Sequence, residues 1–171
     1  LLEQHPDDLD LLHGFQVGLV CIKTRRLVMH IVSYIKTADS YTVYQLNAPD
    51  GSTELCTIDG VTYVSVPDEK LPEQHAQIAA SVVDPVTLTT ALREAIKATS
   101  PHCALIQERM EAKIRAQYSL SDEQYFSRIA SGAAIGMYTF ETGEAEAMQA
   151  FGAYVESIRQ WGREQRTLLG L

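Results

Sequence analysis

Asp59-Gly60 stands between two runs of strand-forming residues, "TELCTI" and "VTYVSV". No other feature of the chain restricts its fold so tightly. A type I′ turn needs positive φ at both central residues, and Asp-Gly supplies them at the least cost. The two-residue loop predicts the pairs Ile58 with Val61, Cys56 with Tyr63 and Leu55 with Val64. Ile58, Val61, Cys56 and Tyr63 then share one face, and Thr57, Thr62, Leu55 and Val64 the other. Neither face is strongly charged, so both are expected to be covered, by helices or by another subunit.

The hairpin sits in a wider β-rich stretch. Residues 27–66 are rich in Val, Ile, Thr and Tyr, which favour a pleated, half-buried surface. "RLVMHIVSYI" reads as a strand on its β-branched content. "SYTVYQLN" (40–47) reads as a second, followed by "APDGS", the chemistry of a tight turn. The composition changes near residue 70. "VPDEKLPEQ" (66–74) is a linker, and beyond it the chain reads as capped helices. Asp84-Pro85 predicts an N-cap with proline at the first helical position, ahead of a stripe of Leu88, Ala91, Leu92 and Ala95. Ser100-Pro101 repeats the device before Ile106, Met110 and Ile114. "SDEQ" (121–124) fits a capping box, and Tyr125, Ile129, Ala133, Gly136 and Phe140 are expected on one face after it. Thr142 is expected to cap the last helix, with Glu144 and Glu146 near its positive end.

That last helix is expected to be the longest. Met148, Phe151, Val155, Ile158, Gly162, Gln165 and Leu169 alternate spacings of three and four, with Tyr154, Trp161 and Leu168 beside them. The stripe is too broad for a coiled-coil seam, and Gly and Gln hold successive seam positions. It is expected to pack on its own domain, with a second copy as the other option. "IASGAAIGMYTF" (129–140) holds twelve uncharged residues, too few to span a bilayer, which needs about 20. Gly132 and Gly136 in it are expected to let two helices approach closely, within the subunit or at a subunit interface.

The chain has 171 residues, 46% of them hydrophobic and 21% charged. It is long enough to bury a core without staples. The expectation is an α+β protein, with a small antiparallel β region over about 16–66 followed by a bundle of four or five helices. Two regions are drawn, 1–70 and 71–171, and whether they form one cooperative unit is left open. The net charge of −8 repels phosphate backbones and argues against nucleic acid. The basic stretch "KTRR" (23–26) reads as a solvated turn. The opening "LLEQHPDDLDLL" lacks the basic start and apolar run of a signal peptide. Three cysteines (Cys21, Cys56, Cys103), with no CxxC spacing, suggest free thiols in a reducing compartment. A soluble protein is expected.

No residue pattern spells out a reaction. Cys103 falls near the third position of a helix, where the positive helix end favours a thiolate. Catalysis there would need a remote histidine, since His102 points to another face. His5, His13, His30, His75 and His102 form no ligand motif, and neither metal nor cofactor is expected. No carboxylate pair can be singled out. Tyr34, Tyr41, Tyr44 and Tyr63 suggest a ligand platform or, more simply, a sheet cover with hydroxyls at the rim. Glu156, Arg159, Arg163, Glu164 and Arg166 read as a solvated helix face.

The ending "AMQAFGAYVESIRQWGREQRTLLGL" (147–171) resembles the C-terminal helices of small tailed-phage proteins of the tail and tail-assembly regions. Phe151, Tyr154, Arg159 and Trp161 carry the likeness, and "MEAKIRAQYSLSDE" (110–123) shares its character. The resemblance covers about the last third of the chain. It implies a virion structural or assembly protein working through protein–protein contacts, without catalytic residues, located in the host cytoplasm during assembly and then in the virion. Other protein subunits are the partners it implies, as a homo-oligomer or larger assembly, with no membrane involved. Gly132, Gly136, Phe151, Tyr154 and Trp161 are the interface candidates. A cysteine-dependent enzyme using Cys103 and a small soluble adaptor or regulator stand as alternatives.

Overall fold

The computed structural model describes residues 28–171. The expected strand content of 16–27, the basic stretch 23–26, Cys21, His5, His13 and the acidic opening lie outside the described residues. Within them the architecture is α+β, a small antiparallel sheet followed by five helices.

The sheet contains β1 (Met29–Ile35), β4 (Thr53–Ile58) and β5 (Val61–Pro67), with β5 in the centre and both ladders antiparallel. Asp59 and Gly60 both take positive φ, 50° and 80°, as the hairpin turn requires. Ile58 pairs Val61 and Cys56 pairs Tyr63, as expected. The ladder then slips, and Glu54 rather than Leu55 pairs Val64. Leu55 is the extra residue of a bulge. In a regular ladder it would join Val64 on the far face. The bulge instead turns it to the same buried cluster as Cys56.

Both faces of the sheet are covered, and this chain itself covers them. On one face Ile31, Leu55 and Cys56 pack with Ile96 of α2 (Thr90–Thr99), Cys103 of α3 (Pro101–Gln117) and Leu171. On the other, Val32, Tyr34, Val64 and Val66 enclose Ile78 of the short α1 (Ala76–Ala79), with Tyr44, Leu46, Leu71 and Val82 around them.

Two expected elements form differently. Of 40–47 only β3 (Val43–Tyr44) is strand, paired with β2 (Thr37–Ala38). The Asp39 carboxylate accepts the amides of Tyr41 and Thr42, both at 2.8 Å. That side-chain capture makes a turn where strand propensity alone predicts extension. Asp84-Pro85 does not open a helix. Val83 pairs with Ser33, and the Val86 amide reaches the Ile31 carbonyl at 2.7 Å, so this segment lies along the edge of β1. The helix begins at Thr90, capped by the Thr89 hydroxyl on the Leu92 amide.

Ser100 and Pro101 do start α3, but the Ser100 hydroxyl makes no cap bond and is buried without a partner. The capping box before α4 (Leu120–Ala134) uses Ser119 and Asp122 instead of Ser121 and Gln124. The last helix, α5 (Glu144–Thr167), is the longest at 24 residues. Its N-cap is Gly143 at φ 88°, which displaces Thr142 from that role. Helix α5 crosses α3 through Ile158, Ile106 and Met110. Gly162 permits the crossing, because a Cβ there would strike the Met110 side chain. Among the described residues no helix is long and apolar enough to cross a membrane.

Candidate functional site

The end of α3, helix α4 and the start of α5 meet in a group of rings. Tyr118 meets Phe151 edge-on at 5.0 Å between centroids, and Phe126 stacks on Phe151 at 5.1 Å. Tyr154 tilts against Tyr118 at 5.7 Å and donates its hydroxyl to the Lys113 carbonyl at 2.9 Å. Trp161 packs on the α3–α5 contact, with the Lys113 ammonium 5.1 Å from its ring centroid. Phe151, Tyr154 and Trp161 therefore turn their faces to their own chain, each half-buried. Their broad helical stripe marks an intramolecular seam.

Polar bonds lock the other end of this region. The Glu144 carboxylate accepts from the Tyr125 hydroxyl, from the Tyr138 hydroxyl at 2.8 Å and from the Glu141 amide at 2.7 Å. These donors, Tyr125 first, hold the Glu144 carboxyl below its usual range, while the same carboxylate pushes both phenols up. One side chain thus ties α4, the loop after it and α5 together. Arg115 adds an ion pair with Glu123 at 2.7 Å.

Among the described residues of the chain, Gly132 and Gly136 bring no second helix close to α4. Helix α4 ends between them. The Gly136 amide bonds the Ala133 carbonyl and the Met137 amide bonds the Gly132 carbonyl, with Gly136 at φ 73°. This is a Schellman turn, in which a left-handed glycine satisfies the last carbonyls. A Cβ on Gly132 would lie 2.8 Å from Cβ of Tyr138, so this glycine admits the returning loop. The close approach of two helices is made by Gly162, a residue the sequence marks only as a glycine interrupting an apolar stripe.

The turn leaves Ile135 70% and Met137 82% exposed. Leu120 and Tyr125 of α4 are also exposed. Ile129 is the buried residue of α4. The helix is held along one side, and large apolar groups face outward from it and from its end. Neither periodicity nor composition singles out Ile135 and Met137. Their exposure follows from where the glycine turn falls.

The four tyrosines form no shared platform. Tyr34 and Tyr63 belong to clusters on opposite sheet faces, Tyr44 stacks on His75 at 4.4 Å, and Tyr41 is fully exposed. Cys103 is 4% exposed and lines a cavity of about 440 Å³ with Glu94, Lys97, Ala98, Ala104, Gln107 and Arg166. No histidine lies among those lining residues. His30 meets Asp84 at 2.8 Å, and His75 caps α1 through the Gln77 amide. Among the described residues no three His, Cys, Asp or Glu side chains converge as a metal ion would require. No known family model matches the chain, and no curated protein or solved structure shows detectable similarity to it.

Proposed function

We propose that this protein is a non-enzymatic structural or assembly component that works through protein–protein contacts. The observation that carries the reading is the exposed apolar set of Leu120, Ile135 and Met137 on α4 and its terminal turn, with the Tyr125 ring partly exposed beside its bond to Glu144. Large apolar groups exposed on one helix and its end favour a protein partner. Aromatic and Met side chains are those enriched where partners meet. The acidic charge of the chain argues against nucleic acid as that partner. The setting in a phage tail or its connecting parts rests on the C-terminal resemblance of Phe151, Tyr154, Arg159 and Trp161 alone.

The contact set differs from the one the last helix suggests. Phe151 stacks on Phe126 of α4, Tyr154 and Trp161 pack on α3, and α4 presents the surface. The occupant we assign is another protein subunit, a second copy of the chain being the simplest. Light scattering over a concentration series tests this. The expected result is a defined oligomer that the double substitution Ile135→Asp, Met137→Asp dissociates while the circular dichroism stays unchanged. A wild-type chain that is monomeric at every concentration overturns self-assembly and favours a small soluble adaptor.

A further inference from the structure

Where the end of α5 meets the start of β1, a cavity of about 390 Å³ opens to solvent. It shares no residue with the α4 surface. Val28, Met29, Leu168 and Leu171 give it apolar walls, and Arg93 and Thr167 are its polar side chains. The turn at Gly170 shapes it. Leu171 passes inward to the sheet cluster, and Leu168, ahead of the turn, stays 51% exposed. Val28, just before β1, is 67% exposed. Two large apolar side chains thus line the cavity and still meet water. Arg93 is on α2 beside Leu92, which packs on the sheet cluster. Among the described residues the Arg93 guanidinium makes no ion pair. The Thr167 hydroxyl donates to the Arg163 carbonyl at 3.0 Å, so its proton is engaged. Arg93 is left as the side-chain donor of an otherwise apolar cavity. Small-molecule sites have this form, apolar walls with a polar group that fixes orientation.

We propose that this cavity binds a small aliphatic carboxylate of the medium-chain fatty-acid class, its carboxylate on the Arg93 guanidinium and its alkyl chain against Val28, Met29, Leu168 and Leu171. The walls and the charge select the class together. A wholly apolar ligand would strip water from Arg93 and return no partner. A compact polar anion such as phosphate would leave the apolar walls wet and gain nothing from them. A carboxylate on an alkyl chain satisfies both. The planar guanidinium matches the carboxylate in two parallel hydrogen bonds, and each methylene that follows covers apolar surface. The acidic charge of the chain does not draw an anion from a distance. Affinity therefore comes from within the cavity.

The test titrates the full chain with hexanoate, octanoate, decanoate and 1-octanol, read by calorimetry and by amide chemical shifts. Affinity should rise roughly fourfold per added methylene through the series. Octanoate should bind more tightly than 1-octanol by roughly tenfold or more, the worth of a charge-assisted pair. The first amides to shift should be those of Met29, Arg93 and Leu168. In Arg93→Gln, octanoate should fall to the affinity of 1-octanol while 1-octanol is unchanged, which general damage to the fold would not produce. Val28→Glu sets a like charge at the rim and should weaken octanoate by roughly tenfold. No binding of any carboxylate, equal binding of octanoate and 1-octanol, or shifts confined to other residues overturns the proposal. The wild-type titrations decide it even if a variant does not fold.

Discussion

Helices α4 and α5 end in the same local device, and the two ends have opposite fates. At α4 the left-handed residue is Gly136 at φ 73°, and at α5 it is Gly170 at φ 75°. In each case the glycine amide bonds the carbonyl three residues back and the next amide bonds the carbonyl five residues back. The residue thrown off the turn is Met137 in the first and Leu171 in the second. Met137 is 82% exposed, and Leu171 is 7% exposed inside the sheet cluster. Cap chemistry sets where a chain leaves a helix, but what lies beyond decides whether the departing side chain joins a core. Beyond α5 stand β1 and Ile31. A Cβ on Gly170 would lie 3.3 Å from both Ile31 Cδ1 and the Met29 carbonyl. Around Gly136 there is nothing within 4 Å.

Truncation at the two ends should separate them most sharply. Leu171→Ala removes a packed side chain and should cost about 2–5 kcal/mol, the range for buried leucine truncations. Met137→Ala should change stability by less than about 0.5 kcal/mol. Urea denaturation of both variants measures the contrast, and equal losses would remove the distinction between a core end and a surface end.

The glycines come next in size. Gly136→Ala bears the left-handed backbone cost alone, about 1 kcal/mol. Gly170→Ala bears that cost and must also push Ile31 aside, for about 2 kcal/mol in total. Thermal melts that rank them in the reverse order would show that the α4 end is packed after all.

A smaller effect concerns the bonds that hold α4 from the side. Hydrogen bonds from Tyr125, Glu141 and Tyr138 hold the folded Glu144 pKa below its unfolded value. Their contribution is therefore present above the unfolded carboxylate pKa and lost as pH falls through the folded one. Wild type should lose stability on acidification more steeply than Glu144→Gln. The phenols behave in the opposite sense. Tyr125 and Tyr138 are pushed up, so their contribution is present below the unfolded phenol pKa and lost as pH rises through the folded one. Identical pH profiles for wild type and Glu144→Gln would mean that aromatic packing alone holds α4.

The least change in stability is expected where the functional change is largest. Replacing Ile135 and Met137 together by serine should shift the unfolding midpoint hardly at all, within about 0.5 kcal/mol, yet reduce association in light scattering. A substantial loss of stability would place these residues in a core and remove the basis for the surface.

Legibility followed the range of the interaction concerned. Asp59-Gly60 predicted its hairpin and two of the pairs beyond it, because turn chemistry acts over a few residues. The prediction failed at Leu55, where a bulge answers to the helices packed above. The helical content after residue 70, the stripe of Ile106 and Met110, and the length of α5 were readable from period. The caps were less so. Ser119 with Asp122 and Ser121 with Gln124 are both acceptable boxes two residues apart, and the end of α3 at Tyr118 selects between them. Asp84-Pro85 has every mark of a helix start, but the edge of β1 takes its neighbours' amides first. In the candidate site, the aromatic stripe of α5 and its packing on its own domain were legible, and which rings it meets was not. Ile135 and Met137 were not legible at all.

The amino-acid order by itself determined the class of this protein: a hairpin-centred antiparallel β region, a break near residue 70, and helices with their approximate phases. These depend on dihedral preference and on the repeat of apolar side chains, which neighbours within one or two turns decide. Tertiary structure alone decided which glycine brings helices together, Gly162 and not Gly132 or Gly136, and which helix end is buried. It also decided that Cys56 and Cys103 share a cluster. Each of these depends on what arrives from elsewhere in the chain to meet a surface that local rules merely set facing outward.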